Sequence, residues 1–430
     1  MEFLRHGHHP FLRWLGATIL IVVMIISAYS LPGTPFVLKP TIGTPSSMNS
    51  RNHSTSLGSG PASSVTTTLT SLNNGTNSSD PSTKNDTRDV STGIIVPIFS
   101  DYSRAQLNYV NEVIQAKSHY PSVPILAVIN PSGGPGVSYN LNFSSEVKNM
   151  QAANITVLGY VPTAWGARNI TSVKADILKY YDWYHVNGPQ LDQMPNWEYD
   201  GPQGQLHYSG PNGTFMPTYF SNLTSYAKSL GMTKIYGNSG ADVPQNFLGT
   251  VDIIGIFENP FAAPFISSAT GVNGLAGVNG WHMNYSKTNF AFFSYNLTSI
   301  NPYYIVAASD YVGYMFLTNG TEPQPYNVLP PYFDLLVSTL ASIVPVTIQS
   351  EVLNRTSVNT GFQTVVTQPD GISSMGFTPF TFNALSGSTV TISAGNFSGY
   401  AFDHWGDGIT NSSIDITPTQ AMTLIAYYLH

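Results

Sequence analysis

The chain has 430 residues, which is enough for two or three domains. Only 9% of the residues are charged, well below the roughly 25% of an average soluble domain. The net charge of -7 provides no basic surface, so nucleic acid is excluded as an expected partner. The absence of cysteine excludes disulfides, thiolate metal sites and cysteine nucleophiles.

Residues 1–31 predict a signal peptide or a signal anchor. The run from Trp14 to Leu31 carries no charge and follows Arg5 and Arg13. Its length lies between that of a secretory apolar region and that of a minimal membrane span. The small-x-small pattern at 28–30 is typical of a cleavage site. We therefore expect an extracellular or cell-surface protein, with the membrane as a partner only if the segment is not cleaved.

Residues 32–90 predict a flexible stalk. The stretch is rich in Ser, Thr, Asn, Gly and Pro and has no apolar period, so it cannot bury a core. Fifteen N-x-[ST] sequons occur in the chain, and in a glycosylating host several of them would carry glycans. Examples are Asn74, Asn77, Asn142, Asn154, Asn169, Asn222, Asn296 and Asn411.

From Gly93 onward, short apolar runs alternate with helical patterns such as 104–117 and 172–185. Apolar strands separated by helices predict a parallel sheet covered on both faces. Eight such units predict a (β/α)8 barrel over residues 91–345. A doubly wound open sheet is the alternative, although no Gly-rich phosphate turn follows the first strand. The predicted strands are 93–100, 124–130, 156–163, 188–194, 234–240, 251–259, 290–296 and 310–318.

Polar residues at the carboxyl ends of these strands would face the site of such a barrel. Asp192 and Glu258 are the catalytic candidates, because two carboxylates at a barrel mouth suit glycosidic cleavage. Their separation is open, and so is the choice between retention and inversion. The candidate substrate-binding residues are Gln193, Asn130, Tyr160, Arg168, Asn238 and Trp197, and Asp310 is a further polar residue near the eighth strand.

Each of these residues also has a structural interpretation. Asp192 can be a helix N-cap, and Asn130 can belong to a tight turn. Arg168 can pair with a carboxylate as structural support, and tryptophans such as Trp165, Trp197 and Trp281 more often pack than stack on sugars. The histidines lack metal-ligand spacing, so we expect neither a metal nor a cofactor.

Several strand ends resemble the spherulation-specific, spherulin 4-like family. The shared stretches are "GIIVPIF", "AVINPSGGPG", "VLGYVPTAWGAR" with "DILKYYDWY", and "VDIIGIFEN", in order from Gly93 to about Val344. The resemblance implies a (β/α)8 barrel related to glycoside hydrolases that cut galactosamine-containing exopolysaccharides. It also implies an Asp-Glu pair that closes the fourth strand, with Asp on Asp192, and a Glu at the sixth strand, on Glu258.

The chain departs from the family pattern at the fourth strand. Gln193 replaces the second acid of the pair, and "GPQL" replaces an apolar run. An amide can donate and accept hydrogen bonds, but it can neither transfer a proton as an acid nor act as a nucleophile. Activity survives if Asp192 and Glu258 are the working pair, and it is lost if the missing Glu is essential. Glu198 is a possible substitute from the loop.

Residues 346–430 predict a β-sandwich, because short alternating strands are separated by Gly and Asn turns. The motif "GYAFDHWGDG" resembles repeat domains appended to bacterial and archaeal surface proteins. Asp403 and Asp407 are either calcium ligands or plain turn caps. The expected role of this module is spacing or attachment.

Three functional hypotheses remain. The first is an extracellular glycoside hydrolase that acts on polysaccharide rich in galactosamine or N-acetylgalactosamine. The second is a polysaccharide-binding or envelope protein in which Gln193 marks impaired catalysis. The third is a purely structural surface protein. The fold alone does not decide between them.

Overall fold

The structure is a computed structural model that describes six stretches of the chain: residues 91–99, 104–195, 216–241, 243–260, 281–353 and 361–430. The predicted signal segment and stalk lie outside these residues, as do Trp197 and Glu198. The signal, the stalk and the sugar-stacking role of Trp197 therefore stay predictions. None of the helices within the described residues combines the length and the apolar character that a membrane span requires.

Eight parallel strands close into a barrel, which confirms the predicted fold class. Each strand pairs with the next in chain order, and the first pairs with the eighth, so the doubly wound alternative is excluded. The first two strands are buried along their whole length, as expected for strands covered on both faces. The strands are β1 Gly93–Ile98, β2 Ile125–Ile129, β3 Thr156–Pro162, β4 Gly188–Asp192, β5 Tyr236–Asn238, β6 Ile253–Asn259, β7 Phe290–Ser294 and β8 Tyr314–Leu317.

Helices connect the strands on the outside of the barrel. Asparagine side chains accept hydrogen bonds from backbone N–H groups at the starts of α2, α3 and α5, which satisfies donors that the first turn leaves open. The helices in the described residues are α1 Arg104–His119, α2 Leu141–Ala152, α3 Ile170–Lys179, α4 Met216–Ser229, α5 Pro302–Ala308 and α6 Phe333–Ala341. Short 3-10 turns occupy Gln245–Phe247, Trp281–Asn284 and Lys287–Asn289.

The helix predicted over 172–185 is only partly right, because α3 gives way to a π-helical turn over Tyr180–Tyr184. Tyr180 packs on Gly159 of β3, where any side chain would overlap its ring. The hydroxyl of Tyr180 donates to the carbonyl oxygen of Ile129, at 3.3 Å. This inward packing anchors the helix end close to the carboxyl ends of β2 and β3.

The C-terminal residues form two four-stranded sheets, in the orders β11-β10-β13-β15 and β12-β9-β16-β14. Side chains of both sheets share one apolar core around Trp405 and Phe382, so the predicted β-sandwich is present. The strands are β9 Ile343–Val352, β10 Gln363–Thr367, β11 Ser373–Phe377, β12 Phe380–Leu385, β13 Val390–Ala394, β14 Ala401–Trp405, β15 Ser413–Ile416 and β16 Met422–Leu429.

The sandwich contacts the amino-terminal side of β8. The backbone N–H of Asn383 donates to Asp310 Oδ1 at 2.8 Å, and its side-chain amide donates to Ser309 Oγ at 2.8 Å. Because β8 begins at Tyr314, Asp310 precedes the strand and does not stand at its carboxyl end. The expectation that Asp310 belongs to the barrel mouth is therefore wrong, and this carboxylate serves the junction between barrel and sandwich.

Candidate active site

A cavity of about 220 Å³ opens at the carboxyl ends of the barrel strands. This volume is below the roughly 300–1,000 Å³ of pockets for drug-sized ligands, so it suits one small ring rather than several. Its walls come from seven of the eight strands or the residues that follow them, and from the segment after β8. The described residues that line it are Phe99, Asn130, Tyr160, Gln190, Asp192, Asn238, Glu258, Phe293 and Tyr326.

One amide joins the two carboxylates of this cavity. Nδ2 of Asn238 donates to Asp192 Oδ1 at 3.0 Å and to Glu258 Oε2 at 3.0 Å. Both oxygens bond to the same nitrogen, so they lie no farther apart than about 6 Å, twice the length of one bond. An amide nitrogen has two hydrogens and no acceptor capacity, so this bridge uses its full donor set.

Two hydrogen bonds to its oxygen fix the orientation of the Asn238 amide. Its Oδ1 accepts from the hydroxyl of Tyr236 at 3.2 Å and from the backbone N–H of Gly240 at 3.3 Å. Two donors on this oxygen leave the nitrogen as the group that faces the carboxylates. Gly255 of β6 makes room for the arrangement, because a Cβ there would overlap both Asn238 Oδ1 and the Tyr236 hydroxyl.

Two tyrosines hold the outer oxygens of the carboxylates. The hydroxyl of Tyr160 donates to Asp192 Oδ2 at 2.7 Å, and that of Tyr326 donates to Glu258 Oε1 at 2.5 Å. Burial, followed by the charge of the neighbouring carboxylate, raises the pKa of both tyrosines. Both phenols therefore remain protonated donors at neutral pH.

Burial also raises the pKa of both carboxyl groups, because the protein around them solvates the charged form poorly. For Glu258, the hydrogen bonds from Tyr326 and Asn238 oppose this rise, and the negative charges of Asp192 and Glu322 add to it. The pKa of Asp192 is lowered again by hydrogen bonds from Tyr160, Asn238 and the backbone of Gln193. Three hydrogen bonds thus favour the ionised form of Asp192, whereas two hydrogen bonds and two nearby negative charges act in opposite senses on Glu258.

Gln193 lies beside the cavity and is not among the residues that line it. Its φ of 61° is left-handed, which turns its side chain out of the alternation of β4. Its Oε1 accepts from the backbone N–H of Ala164 at 3.1 Å, and its carbonyl oxygen accepts from the N–H of Trp165 at 2.8 Å. Gln193 therefore ties the turn after β3 to the end of β4.

Arg168 also points away from the cavity lining. Its guanidinium donates to Asp176 of α3 at 2.5 Å and to the carbonyl oxygen of Pro162 at 2.9 Å. This pairing corresponds to the structural interpretation of the residue. Asn130, by contrast, lines the cavity, and its Oδ1 accepts from the backbone N–H of Gly134 at 2.9 Å. The turn after β2 is thereby fixed by the same residue that faces the site.

Sequence reasoning missed two polar lining residues, Gln190 and Tyr326. Gln190 had a usable signal, because it stands two positions before Asp192 and strand alternation places both on one face. Tyr326 follows β8 in an irregular segment, and no local pattern marks it. Within the described residues, no cluster of three or more His, Cys, Asp and Glu side chains is arranged to hold a metal ion.

Comparisons with known proteins bear on the barrel. The sequence profile of spherulation-specific family 4 matches residues 93–340. Spherulin-4 of Physarum polycephalum is 28% identical over 139 residues, which are 32% of this chain and only 37% of that relative. The structure of Aspergillus clavatus Sph3 in complex with GalNAc is 21% identical, with a TM-score of 0.47, covering 59% of this chain and 99% of Sph3. The GH18 chitinase ChiB of Flavobacterium johnsoniae is 9% identical, with a TM-score of 0.36, covering 59% and 94%.

Proposed function

The chain belongs to spherulation-specific family 4, and we propose that it is an extracellular glycoside hydrolase. Its proposed substrate is polysaccharide that contains galactosamine or N-acetylgalactosamine, as the family resemblance implies. The observation that carries the proposal is the single amide that bridges Asp192 and Glu258 in one cavity. Two buried carboxylates with no cationic partner among the described residues cost folding energy, and such a cost is typical of a catalytic pair.

The separation of the carboxylates supports a retaining reaction. Retaining enzymes place the two groups about 5–5.5 Å apart, whereas inverting enzymes need about 6.5–9.5 Å to admit a water molecule between acid and sugar. Asp192 Oδ1 and Glu258 Oε2 share one donor and lie within about 6 Å of each other, which is nearer to the retaining arrangement than to most of the inverting range.

The proposed reaction has two steps. In the first, the protonated Glu258 gives its proton to the glycosidic oxygen, and the carboxylate of Asp192 attacks the anomeric carbon as the bond to that oxygen breaks. In the second, the Glu258 carboxylate takes a proton from water, whose oxygen displaces Asp192 from the sugar. Glu258 ends protonated and Asp192 ends ionised, so both groups return to their starting states.

The charge of the cavity supports a neutral or cationic sugar. Among the described residues, those that line the cavity include two acids and no Lys, Arg or His. A uronic acid would bring a third carboxylate into this space, where like charges repel strongly. A free amino group would instead bring a compensating positive charge.

A binding or envelope protein with impaired catalysis is the second candidate, and Gln193 is the observation that favours it. The structure weakens that inference, because the Gln193 amide is engaged with Ala164 and lies outside the cavity lining. The replacement therefore leaves the Asp192 and Glu258 pair in the cavity.

The test uses the purified full-length chain with α-1,4-linked polymers of galactosamine and of N-acetylgalactosamine. We expect release of oligosaccharides, with rates reduced about 10²- to 10⁴-fold in Glu258→Gln and in Asp192→Asn. Polygalacturonate is the control polymer and should remain intact. Binding of the amino-sugar polymers without any release would favour the second candidate. Undiminished release of oligosaccharides by Glu258→Gln would show that Glu258 is not the general acid.

A further inference from the structure

The floor of the cavity contains an amide that forms no hydrogen bond with the described residues. Gln190 is only 3% exposed, and it lines the cavity one inward-facing position below Asp192 on β4. Its side chain makes no hydrogen bond to the described residues. Leaving a buried amide without partners costs about 1–3 kcal/mol, so such groups are rare unless a ligand or water satisfies them.

The neighbours of Gln190 are committed elsewhere. Its register partners on the adjacent strands are Tyr160 on β3 and Tyr236 on β5. Their hydroxyls donate upward, to Asp192 and to Asn238 respectively. The side chain of Gln190 therefore faces the cavity with both a free donor, Nε2, and a free acceptor, Oε1.

A second buried glutamine shows what a structural role looks like. Gln368 of the sandwich is 6% exposed, and its Nε2 donates to the carbonyl oxygen of Asn383 at 3.1 Å, while its Oε1 has no partner among the described residues. This amide contributes to the packing of its own domain. Gln190 has no such bond, although it is buried to a similar degree.

The depth of Gln190 limits which part of a sugar it can reach. Two residues along a strand span about 6.6 Å, so Gln190 lies well below the plane of the carboxylate pair. The reacting anomeric carbon belongs at that pair, and a hydroxyl oxygen stays close to its own ring carbon. An acylamino substituent extends farther, and it carries one N–H donor and one carbonyl acceptor.

We propose that Gln190 is a specificity-determining residue that binds the acylamino group of an N-acylated sugar. Oε1 accepts from the N–H of the substituent, and Nε2 donates to its carbonyl oxygen. The inference rests on the proposed function and narrows its substrate from amino sugars in general to N-acylated ones.

The experiment compares the full-length chain with its Gln190→Met variant, since Met keeps the length of the side chain and removes the amide. Calorimetric titration with N-acetylgalactosamine, galactosamine and galactose measures affinity without turnover. We expect N-acetylgalactosamine to bind most tightly to the wild type. Its affinity should fall about tenfold or more in the variant, as expected for two lost hydrogen bonds, while the affinity for galactose stays within about twofold.

Thermal unfolding without sugar supplies the second measurement. Gln190→Met should not lower the unfolding midpoint, because the amide faces the cavity and has no hydrogen bond to the described residues to lose. The matched Gln368→Met variant, which lies in the sandwich, should leave sugar affinity unchanged. A stability loss in Gln190→Met would identify a structural amide and overturn the proposal.

Two binding outcomes would also overturn it. An equal loss of affinity for all three sugars would mean that Gln190 only shapes the cavity. Unchanged affinity for N-acetylgalactosamine in the variant would remove Gln190 from recognition and leave the hydrolase proposal intact. A wild-type chain that binds none of the sugars would reject the proposed function together with this inference.

Discussion

The mouth of the barrel and the core of the sandwich bury polar groups in opposite ways. In the sandwich, the indole N–H of Trp405 donates to the carbonyl oxygen of Asn411. The hydroxyl of Tyr428 donates to the carbonyl oxygen of Gly395. Each of these polar atoms is satisfied by nearby backbone. At the mouth, the hydrogen bonds that Asp192 and Glu258 receive from described side chains all come from neutral groups that line the same cavity.

This difference separates a region built for stability from one built for chemistry. Neutral polar atoms on backbone partners are compatible with a tightly packed core. Buried carboxylates held only by neutral donors remain costly, and their raised pKa values express that cost. The predictions below test this contrast, beginning with the largest expected effect.

Removal of Trp405 should destabilise the sandwich without touching the chemistry. The side chain is 1% exposed, and a buried Trp→Ala change typically costs about 3–5 kcal/mol. We expect Trp405→Ala to lower the free energy of unfolding by about this amount in chemical denaturation. The rate of sugar release should stay within about twofold at temperatures where the barrel is folded. A parallel loss of release would mean that the sandwich supports the mouth of the barrel.

His282 should make the barrel sensitive to acid. Both ring nitrogens lack hydrogen-bond partners in the described residues, and burial lowers the pKa of the ring from 6.5 to about 4. The unfolded chain therefore binds more protons between these values, so stability is complete above pH 6.5 and falls as the pH drops towards 4. The free energy of unfolding should fall by about 3 kcal/mol over this pH range, because each unit of pKa difference corresponds to about 1.4 kcal/mol.

Denaturant titrations at several pH values measure this slope. The His282→Phe variant, which keeps an aromatic ring against Trp281 and Phe290, should flatten the slope between pH 6.5 and 4. A variant that retains the full wild-type slope would assign the acid sensitivity to other groups.

The two tyrosines should control the two limbs of the pH–rate profile. Tyr326→Phe removes a donor that favours the ionised form of Glu258, so the pKa of this acid rises. Activity needs Glu258 protonated, so the alkaline limb should move to higher pH. The expected shift is about one pH unit, because losing one hydrogen bond to a charged group costs about as much free energy as one unit of pKa. Tyr160→Phe should raise the pKa of Asp192, which must be ionised, and shift the acidic limb upward.

Rates of sugar release from pH 3 to 9 would show which limb moves in each variant. Wild-type protein in the same buffers is the reference. If Tyr326→Phe moved the acidic limb, the roles of Asp192 and Glu258 would have to be exchanged.

The smallest effect is expected at Gln193. A Glu at this position still offers an oxygen to the N–H of Ala164, so Gln193→Glu should change the release rate by no more than about twofold. Gln193→Leu removes the acceptor and should lower stability by about 1 kcal/mol, measured by denaturant titration. A large gain of activity in Gln193→Glu would show that the missing acid acts in the reaction.

Local patterns predicted much of the barrel and part of the mouth. Short apolar runs marked most of the eight strands, because strands buried on both faces need apolar side chains on both, although β4 reads "GPQLD" and β5 reads "YGN". Position at the carboxyl ends of the strands was enough to group Asn130, Tyr160, Asp192, Asn238 and Glu258, which all line one cavity. The helix end at Tyr180 was not predictable, since its π turn depends on packing against Gly159 of a different element.

The sequence by itself determined which residue types stand at the ends of the strands, because apolar periodicity is a local property of the chain. Only the tertiary structure decided what each polar residue does there. The left-handed turn at Gln193 directs its amide to Ala164, Asp176 draws Arg168 to the outside, and Tyr326 comes back from beyond β8 to hold Glu258. These outcomes depend on backbone rotation and on partners distant in the chain, which no local pattern contains.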